Sequence, residues 1–392
     1  MRLLLVGNYE PDAQQSMQRY AVWMERVLAE RGHRVTVVRP EPYFSRLTRH
    51  PGLGKYLGYL DKFVLFPRRL RRLAKEHDLV HVLDHSNSMY LRAVEATPNL
   101  ITCHDVLAIR AARGDFPEFP TGWSGRRLQR WILAGLARAR NVVCDSASSA
   151  ADLNALTGET GAHISVTPVA LNWKYQPADA MPCGLAERLG LGPGEPYLLN
   201  VGGNQWYKNR AGAVRIFARL AERPEYSKAK LVLAGKPWTA ALRSAVEQEG
   251  LSRRVIEAVD ATNEELQALY SHAVALLFPS IKEGFGWPIL EAQACGCPVI
   301  TTGRPPMDEV AGDAAIFIEP ENPQAAADAI ADGLLRREEL RAAGFRNLAR
   351  FDETAIARQY CRLYEEILGL QSAAKPELSS AAVIAESPRE GR

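Results

Sequence analysis

The sequence predicts an α/β protein made of two doubly wound, Rossmann-like domains that face each other across a cleft. At 392 residues the chain is too long for one ordinary hydrophobic core, so two domains are expected. In both halves short apolar runs alternate with helical patterns, which is typical of parallel sheets joined by right-handed crossovers. Between the halves, the stretch from Ala170 to Pro196 lacks periodicity and is rich in proline and glycine, as a linker would be.

The N-terminal half begins with a buried strand, Leu3–Val6, and we do not expect a signal peptide because the apolar run is short and lacks a cleavage site. Apolar residues then recur at helical spacing from Met17 to Leu28, and Gly32 follows as a C-terminal cap. Further strands are predicted at Val35–Val38, Leu79–Leu83, Leu100–Cys103 and Val142–Cys144. The last three end in polar residues, which indicates a cleft at the carboxyl edge of this sheet.

The C-terminal half repeats the alternation. Thr262-Asn-Glu-Glu265 is a capping box that predicts the start of a helix ending near His272. An apolar stripe predicts a last helix over Asp352–Leu368. The other predicted elements are strands Tyr197–Val201, Leu231–Ala234, Val274–Phe278 and Val299–Thr301, and helices near Asn209–Leu220 and Ala240–Gln248.

These patterns predict the domain boundaries. Residues 1–170 form the N-terminal domain, 171–196 the linker and 197–351 the C-terminal domain. A helix over 352–370 is expected to pack back on the N-terminal domain. The tail, 371–392, is rich in Ala, Ser, Glu and Pro and is predicted to be disordered.

Composition narrows the class of protein. No run of about 18 apolar residues occurs, so no transmembrane helix is expected. The six cysteines are scattered without a Cys-x-x-Cys pair, which favours a reduced, cytoplasmic protein. The first strand is followed by Gly7-Asn-Tyr-Glu and not by Gly-x-Gly-x-x-Gly, which argues against an NAD-dependent dehydrogenase.

The segment Arg46–Lys75 is strongly basic and is interleaved with aromatic and aliphatic residues. Such a segment can lie on an anionic membrane surface or hold an anionic acceptor, which would make the protein peripheral to the inner face of a membrane. A solvated helix face above buried aromatic residues explains the same pattern.

The most informative segment is Pro279–Thr302, which runs from an apolar strand through a glycine-containing loop into a short helix. Pro288 suits the first helical position, and Gly284 and Gly286 let the backbone approach a ligand closely. The free N–H groups at the start of the helix favour a phosphate. Glu283 and Glu291, eight residues apart, can accept hydrogen bonds from sugar hydroxyls. This layout suits a sugar nucleotide, although Glu291 would also serve as an ordinary acid at a helix start.

Glu283-Gly-Phe-Gly-Trp-Pro-Ile-Leu-Glu291 resembles the E-x7-E signature of retaining, nucleotide-sugar-dependent glycosyltransferases of GT-B fold, group 1 (family 4) type. Leu198–Asn209 is similar to the strand, loop and lysine of that family, and Leu231–Lys236 to its next strand and glycine. Thr102-Cys-His-Asp105 resembles the family's cleft histidine. The resemblance covers most of the chain and implies that the N-terminal domain holds the acceptor and the C-terminal domain holds the NDP-sugar donor.

The resemblance also implies roles for single residues. Lys208 would bind the donor diphosphate, Glu283 the donor sugar, Glu291 the ribose, and His104 the sugar and the developing phosphate charge; we take His104, Lys208 and Glu283 as the catalytic set. The family often has an arginine five residues before the lysine, where this chain has Gly203, so Arg210 is the candidate second cation. The implied donor-binding residues are Gly203, Asn204, Arg210, Gly235, Lys236, Gly284, Phe285, Gly286, Ile289, Leu290 and Glu291.

No metal site or cofactor is expected beyond the NDP-sugar itself. Asp-x-Asp does not occur, and His81 and His85 lack a third ligand at metal spacing. We therefore predict a metal-independent hexosyltransferase with a carbohydrate or lipid-linked acceptor, and no nucleic-acid partner. Two alternatives stay open at this point: a hydrolysing sugar-nucleotide 2-epimerase, and a non-catalytic protein that binds sugar nucleotides or anionic lipids.

Overall fold

The computed structural model describes residues 1–48, 51–158 and 161–369 and contains two six-stranded sheets. Every strand pair in both sheets is parallel. The predicted fold class, two doubly wound domains, is thereby confirmed. The predicted disordered tail, 371–392, lies outside the described residues, as do Arg49 and His50 of the basic segment.

The first sheet is formed by residues 2–166 and the second by residues 197–318. In chain order the strands are β1 Arg2–Val6, β2 Arg34–Val38, β3 Leu79–Val82, β4 Asn99–Cys103, β5 Asn141–Cys144, β6 His163–Val166, β7 Tyr197–Gly202, β8 Lys230–Gly235, β9 Val255–Val259, β10 Ala275–Phe278, β11 Val299–Thr302 and β12 Ala315–Ile318.

Helices cover both faces of each sheet, and a π-helical turn, Asp61–Leu65, joins α2 to α3. The helices are α1 Gln15–Ala29, α2 Pro51–Leu60, α3 Phe66–Ala74, α4 Leu91–Val94, α5 Leu107–Arg113, α6 Trp123–Leu136, α7 Ala147–Thr157, α8 Leu185–Arg188, α9 Arg210–Ala221, α10 Ala240–Gln248, α11 Asn263–His272, α12 Trp287–Ala294, α13 Met307–Ala311, α14 Pro323–Leu334, α15 Arg337–Asn347 and α16 Glu353–Ile367. The predicted capping box at the start of α11 is confirmed, with both of its hydrogen bonds present.

Strand order places the ligand-binding edges. The first sheet has the order β2-β1-β3-β4-β5-β6, so the strand order reverses between β1 and β3. The second has the order β12-β11-β10-β7-β8-β9 and reverses between β7 and β10. In open parallel sheets ligands bind beyond the carboxyl ends of the strands at such a reversal. The loops after β7 and β10 are therefore the expected ligand site of the C-terminal domain.

The C-terminal helix α16 joins the two ends of the chain. The hydroxyl of Tyr360 lies 2.8 Å from that of Tyr20 on α1, and the Trp23 indole donates to Glu353 at 2.7 Å. Buried residues of β1, β7, the linker and α16 share one continuous hydrophobic cluster. The helix thus packs on the N-terminal domain, while the exact domain boundaries stay a prediction. Within the described ranges no helix is both long and apolar enough to cross a membrane.

Candidate active site

The ammonium group of Lys208 lies between the loops after β7 and β10, where the strand order reverses. Its Nζ atom lies 2.7 Å from each carboxylate oxygen of Glu283. Both side chains are largely buried, with 18% of Lys208 and 6% of Glu283 exposed. The ring of Phe278, at the end of β10, lies under the ammonium group at 5.4 Å. The two predicted catalytic residues of the C-terminal domain are thus brought together at the predicted edge.

Local backbone geometry places Lys208. A 3-10 turn, Trp206–Lys208, ends at Asn209, which has a left-handed backbone with φ 50°. Asparagine tolerates this conformation better than most residues. Its side-chain oxygen caps α9 by accepting from Gly212 N–H at 3.2 Å, and its amide donates to the Pro279 carbonyl at 3.1 Å. Asn209 therefore ties the Lys208 turn to the end of β10. Asn209 is not among the site residues predicted from the sequence, although an asparagine just before a helix is a recognisable cap signal.

Glu291 is on α12, and its carboxylate is buried. The hydroxyl of Tyr270 on α11 donates to it at 2.8 Å. Burial raises the pKa of Glu291, and Tyr270, Arg19 on α1, Asn172 in the linker and Lys208 oppose that rise. Keeping Glu291 ionised therefore costs folding free energy, and the groups that offset part of this cost include Arg19 of the N-terminal domain and Asn172 of the linker. Tyr270 carried no sequence signal, since it reads as one apolar position of a helix.

The start of α12 differs in part from the sequence prediction. Gly286 caps the helix with φ 112°, a left-handed conformation that favours glycine, and Trp287 takes the first helical position, with Pro288 second. The side chains of Phe285, Ile289 and Leu290 are buried in the hydrophobic core. If these three residues contact a donor, their backbone would make the contact, because the apolar side chains stabilise the fold.

His104 follows β4 and is hydrogen-bonded through both ring nitrogens. Nδ1 donates to Asp145 at 2.5 Å, and Nε2 donates to the Leu83 carbonyl at 2.9 Å. Burial lowers the pKa of His104, but the carboxylate of Asp145 and, more weakly, that of Asp84 raise it to about 9. The imidazole is therefore a positively charged group at neutral pH. Both ring nitrogens of His104 are hydrogen-bonded to groups of the N-terminal domain. The contact of His104 with the donor sugar stays a prediction.

Gly284 lies at a contact between the two domains. Its carbonyl accepts from the hydroxyls of Ser146 at 2.9 Å and Ser149 at 3.1 Å, both at the start of α7. A Cβ atom added to Gly284 would lie 2.4 Å from the His104 carbonyl oxygen. Glycine is thus required here because the His104 backbone approaches too closely for a side chain. The predicted cleft histidine and the motif glycine do lie against each other.

A second group of predicted donor-binding residues lies on the other side of β7. The Arg210 guanidinium, 5% exposed, donates to Asn204 at 2.7 Å and to the Lys236 carbonyl at 3.0 Å. Burial lowers the pKa of Arg210, and two of its nitrogens, Nε and Nη2, have no hydrogen-bond partner in the described part of the chain. These bonds join the loops after β7 and β8, while the Lys208–Glu283 pair lies between β7 and β10.

The two glycines and the lysine of this second group each make a different contact within the fold. Gly235 ends β8 with φ 136°, and a Cβ there would lie 2.1 Å from the Gly202 carbonyl oxygen. A Cβ on Gly203 would meet the Gln205 side chain at 2.4 Å. The largely exposed Lys236 pairs with Asp260 at 3.0 Å. Gly235 is therefore explained by the close approach of two strand ends, independently of any ligand.

His81, another candidate from the sequence, has a hydrogen-bond partner at each ring nitrogen. The nitrogens of His81 lie 2.9 Å from the Tyr364 hydroxyl and 2.8 Å from the Thr102 hydroxyl. Burial lowers its pKa to about 3, so the ring is neutral. Across residues 1–48, 51–158 and 161–369, three or more His, Cys, Asp or Glu side chains nowhere cluster as metal ligands would.

Sequence comparison places both halves of the chain in known families. Residues 17–172 match the family described as "Glycosyltransferase Family 4", and residues 185–347 match "Glycosyl transferases group 1". D-inositol 3-phosphate glycosyltransferase of Nocardia farcinica is 29% identical over 294 residues, 71% of this chain and 63% of that protein. O-antigen chain mannosyltransferase B of Escherichia coli is 24% identical over 326 residues, 81% of each chain.

Solved structures show the same architecture. Sucrose-phosphate synthase of Thermosynechococcus elongatus superposes with a TM-score of 0.74 at 18% identity, over 95% of this chain and 100% of that one. Anabaena HepE in complex with UDP and glucose superposes with a TM-score of 0.70 at 16% identity, over 93% and 100%. At these identities the likeness establishes the fold. With the two family matches, it shows that this chain belongs to the group 1 (family 4) glycosyltransferases of GT-B fold.

Proposed function

We propose that this glycosyltransferase is a retaining, metal-independent hexosyltransferase that moves a sugar from an NDP-sugar to a hydroxyl of a carbohydrate or lipid-linked acceptor. The observation that carries the proposal is the Lys208–Glu283 pair, set between β7 and β10, with Glu291 one turn into the helix α12 that follows. An ammonium group beside two carboxylates matches a donor that has a diphosphate and two sets of hydroxyls. HepE, a structural neighbour, was solved with UDP and glucose.

In the proposed reaction the bond between the anomeric carbon and the diphosphate oxygen breaks, and the acceptor oxygen forms the new glycosidic bond. The NDP leaves with the bonding electrons, and the proton of the acceptor hydroxyl passes to the departing diphosphate oxygen, which becomes basic as its bond to the sugar breaks. Lys208 would exchange its Glu283 partner for the diphosphate and stabilise the charge that develops there. Glu283, released from the lysine, would accept hydrogen bonds from the hexose, while Glu291 would accept from the ribose.

His104 contributes electrostatically in this proposal. Its ring is protonated and fixed by Asp145 and the Leu83 carbonyl, so its charge requires no reorganisation when the phosphate charge grows. The His104 backbone lies against Gly284, directly after Glu283. Closure of the two domains through this contact would exclude the water that otherwise hydrolyses the donor.

We propose that the acceptor belongs to surface polysaccharide or glycolipid synthesis, as the names of the O-antigen relatives suggest for those proteins. Helix α3 presents Arg68, Arg69, Arg71 and Arg72 to solvent, while Phe66 and Leu70 are buried beneath them. Such a face fits peripheral binding to an anionic membrane. Replacing the four arginines by glutamine should abolish co-sedimentation with phosphatidylglycerol vesicles, and unchanged co-sedimentation would remove this part of the proposal.

The reaction class can be tested with NDP-sugars and simple acceptors. Proton NMR of the product should show the same anomeric configuration as the donor, and inversion would contradict the retaining assignment. Incubation with UDP-GlcNAc and no acceptor separates the proposal from a hydrolysing 2-epimerase. An epimerase consumes the sugar nucleotide and releases UDP, whereas a transferase should leave it intact apart from slow hydrolysis.

A further inference from the structure

A second concave site lies in the N-terminal domain, away from the Lys208–Glu283 pair. It is a cavity of about 940 Å³ between the loop after β1, the loop after β2 and the turn that joins α2 to α3. Among its lining residues are Tyr9, Glu10, Asp12, Arg46, Tyr59 and Lys62. We call it the N-domain cavity. The proposed function needs an acceptor site, and part of this wall, with Arg46, Tyr59 and Lys62, comes from the basic segment Arg46–Lys75, which the sequence offered as a possible site for an anionic acceptor.

A π-helical turn, a feature frequent at functional sites, forms one wall. It begins with Asp61, which is 1% exposed. This carboxylate accepts from Phe44 N–H at 2.8 Å, from Ser45 N–H at 3.1 Å and from the Tyr9 hydroxyl at 3.2 Å. Asp61 thus holds the two loops and the turn in fixed positions around the cavity.

Lys62, the next residue, is fixed inside the cavity. Its ammonium group lies 2.9 Å from Asp12 and within 5.3 Å of the ring centres of Tyr9 and Tyr59. Glu10 is paired with Arg39 at 2.7 Å. Among the lining side chains the two acids, Glu10 and Asp12, balance the two bases, Arg46 and Lys62. A phosphate would favour an excess of positive charge, whereas a neutral polyol can use carboxylates and ammonium groups together.

The first loop of the chain connects the wall of the N-domain cavity to the hydrogen bonds around His104. Asn8, next to Tyr9, hydrogen-bonds Asp84 beyond β3 and accepts from Asn87 at 3.1 Å. The carboxylate of Asp84 is in turn close enough to raise the pKa of His104. Tyr9 in the cavity wall is therefore the direct chain neighbour of Asn8, which belongs to the network beside His104.

We infer that the N-domain cavity binds a neutral, hydroxyl-rich sugar ring of the acceptor and does not bind a phosphorylated acceptor. The faces of Tyr9 and Tyr59 would pack on the ring, and Asp12 and Lys62 would share its hydroxyls. The inference rests on the proposed function, because it assigns the acceptor that this transferase uses. It separates this chain from relatives named for inositol phosphate.

Saturation-transfer difference NMR tests the inference on the full chain with methyl α-D-mannopyranoside, methyl α-D-glucopyranoside and D-inositol 3-phosphate as probes. A neutral glycoside should give a signal that Tyr59→Ala and Asp12→Asn each reduce several-fold. Tyr56→Ala is the matched control, because Tyr56 is on the same helix, is 69% exposed and does not line the cavity. Asp328→Asn is the control for Asp12, since Asp328 pairs with Arg223 on the other domain.

NDP binding, measured by calorimetry on the same variants, separates this inference from the proposed function. Unchanged NDP affinity together with a lost glycoside signal supports the N-domain cavity as the acceptor site. Preference for inositol 3-phosphate, or equal effects of Tyr59→Ala and Tyr56→Ala, would overturn the inference while leaving the donor site intact. Failure of the wild-type chain to bind any NDP would instead contradict the proposed function.

Discussion

Lys208 and Glu283 form a largely buried ion pair in which Nζ lies 2.7 Å from each carboxylate oxygen. The pair lies beyond β7 and β10, the two neighbouring strands at which the strand order of the C-terminal sheet reverses. The loop after β7 supplies the lysine, and the loop after β10 supplies the acid. The pair holds the two loops together and keeps both charges available to a donor that enters between them.

Removal of either partner should slow catalysis strongly without unfolding the protein. Lys208→Ala and Glu283→Ala are each expected to lower the transfer rate by about 10²–10³, the usual effect of losing a group that stabilises transition-state charge. Steady-state kinetics measures the loss, and circular dichroism checks the fold. Lys230→Ala is the matched control, because Lys230 is also 18% exposed and pairs with Glu195 at 2.6 Å far from the cleft. Equal losses in Lys208→Ala and Lys230→Ala would remove the special role of Lys208.

Glu291→Gln should weaken donor binding without lowering stability. The pKa of Glu291 is raised by burial, so ionisation of this group at neutral pH costs folding free energy. This cost to the free energy of unfolding is present when the pH is above the raised pKa of Glu291, and it disappears as the pH falls through that pKa. The isosteric amide should therefore leave Tm equal or higher at pH 8. NDP affinity should fall about tenfold or more, since a hydrogen bond to a charged group contributes about 1.5–3 kcal/mol.

Calorimetric titration with NDP and a thermal melt on the same sample measure both effects for Glu291→Gln. Tyr270→Phe is the companion variant, because it removes the hydrogen bond that lowers the pKa of Glu291. A large fall in Tm for Glu291→Gln, with unchanged NDP affinity, would mean that Glu291 serves the fold instead of the donor.

The His104–Asp145 pair should make stability depend on pH on the alkaline side. The pKa of His104 is raised from 6.5 to about 9, so the stabilisation is fully present below pH 6.5 and is lost as the pH rises through 9. The Tm difference between wild type and Asp145→Asn should be large at pH 6 and small at pH 9.5.

The exposed residue His163 provides the control for this experiment, because His163→Asn should reproduce the wild-type melting curve at each pH. A Tm difference for Asp145→Asn that stays constant from pH 6 to pH 9.5 would show that the His104 charge does not contribute.

Gly284→Ala should prevent the closed arrangement of the two domains. The added Cβ would lie 2.4 Å from the His104 carbonyl oxygen, a backbone atom that cannot rotate away. The radius of gyration measured by small-angle X-ray scattering should therefore rise, and transfer should slow. Gly303→Ala is the control, because its Cβ would meet its nearest neighbour, Phe317, at 4.0 Å. An unchanged radius for Gly284→Ala would contradict the role given to this contact.

The sequence predicts the central strands of both sheets and not three of the edge strands. Central parallel strands are buried on both faces and form continuous apolar runs, such as Leu231–Ala234 in β8. The strands β6, β9 and β12 lie at sheet edges, where exposed and buried positions are mixed, so their apolar runs are broken. The motif residues Glu283 and Glu291 were recognisable because charge and glycine spacing are local properties.

Long-range partners were not predictable from spacing. Asp145 lies 41 residues from His104, and Tyr270 lies 21 residues from Glu291, so only the folded chain brings each pair together. Glycine roles were also ambiguous from the sequence, where Gly235 and Gly284 look alike. The structure shows that Gly235 accommodates a neighbouring strand, whereas Gly284 accommodates the other domain.

A thermal-shift panel, which measures Tm with and without added nucleotide, tests whether Lys208 and Glu283 form an NDP-sugar site. UDP, GDP, ADP and their sugar conjugates should be added to wild type, Lys208→Ala and Lys230→Ala. A ligand at about 100 times its dissociation constant stabilises the folded state by about 2.7 kcal/mol, which gives a measurable rise in Tm. At least one nucleotide is expected to raise the Tm of wild type and of Lys230→Ala but not that of Lys208→Ala. If no nucleotide raises the Tm of wild type, or if the Tm of Lys208→Ala rises equally, the Lys208–Glu283 pair does not form an NDP-sugar site.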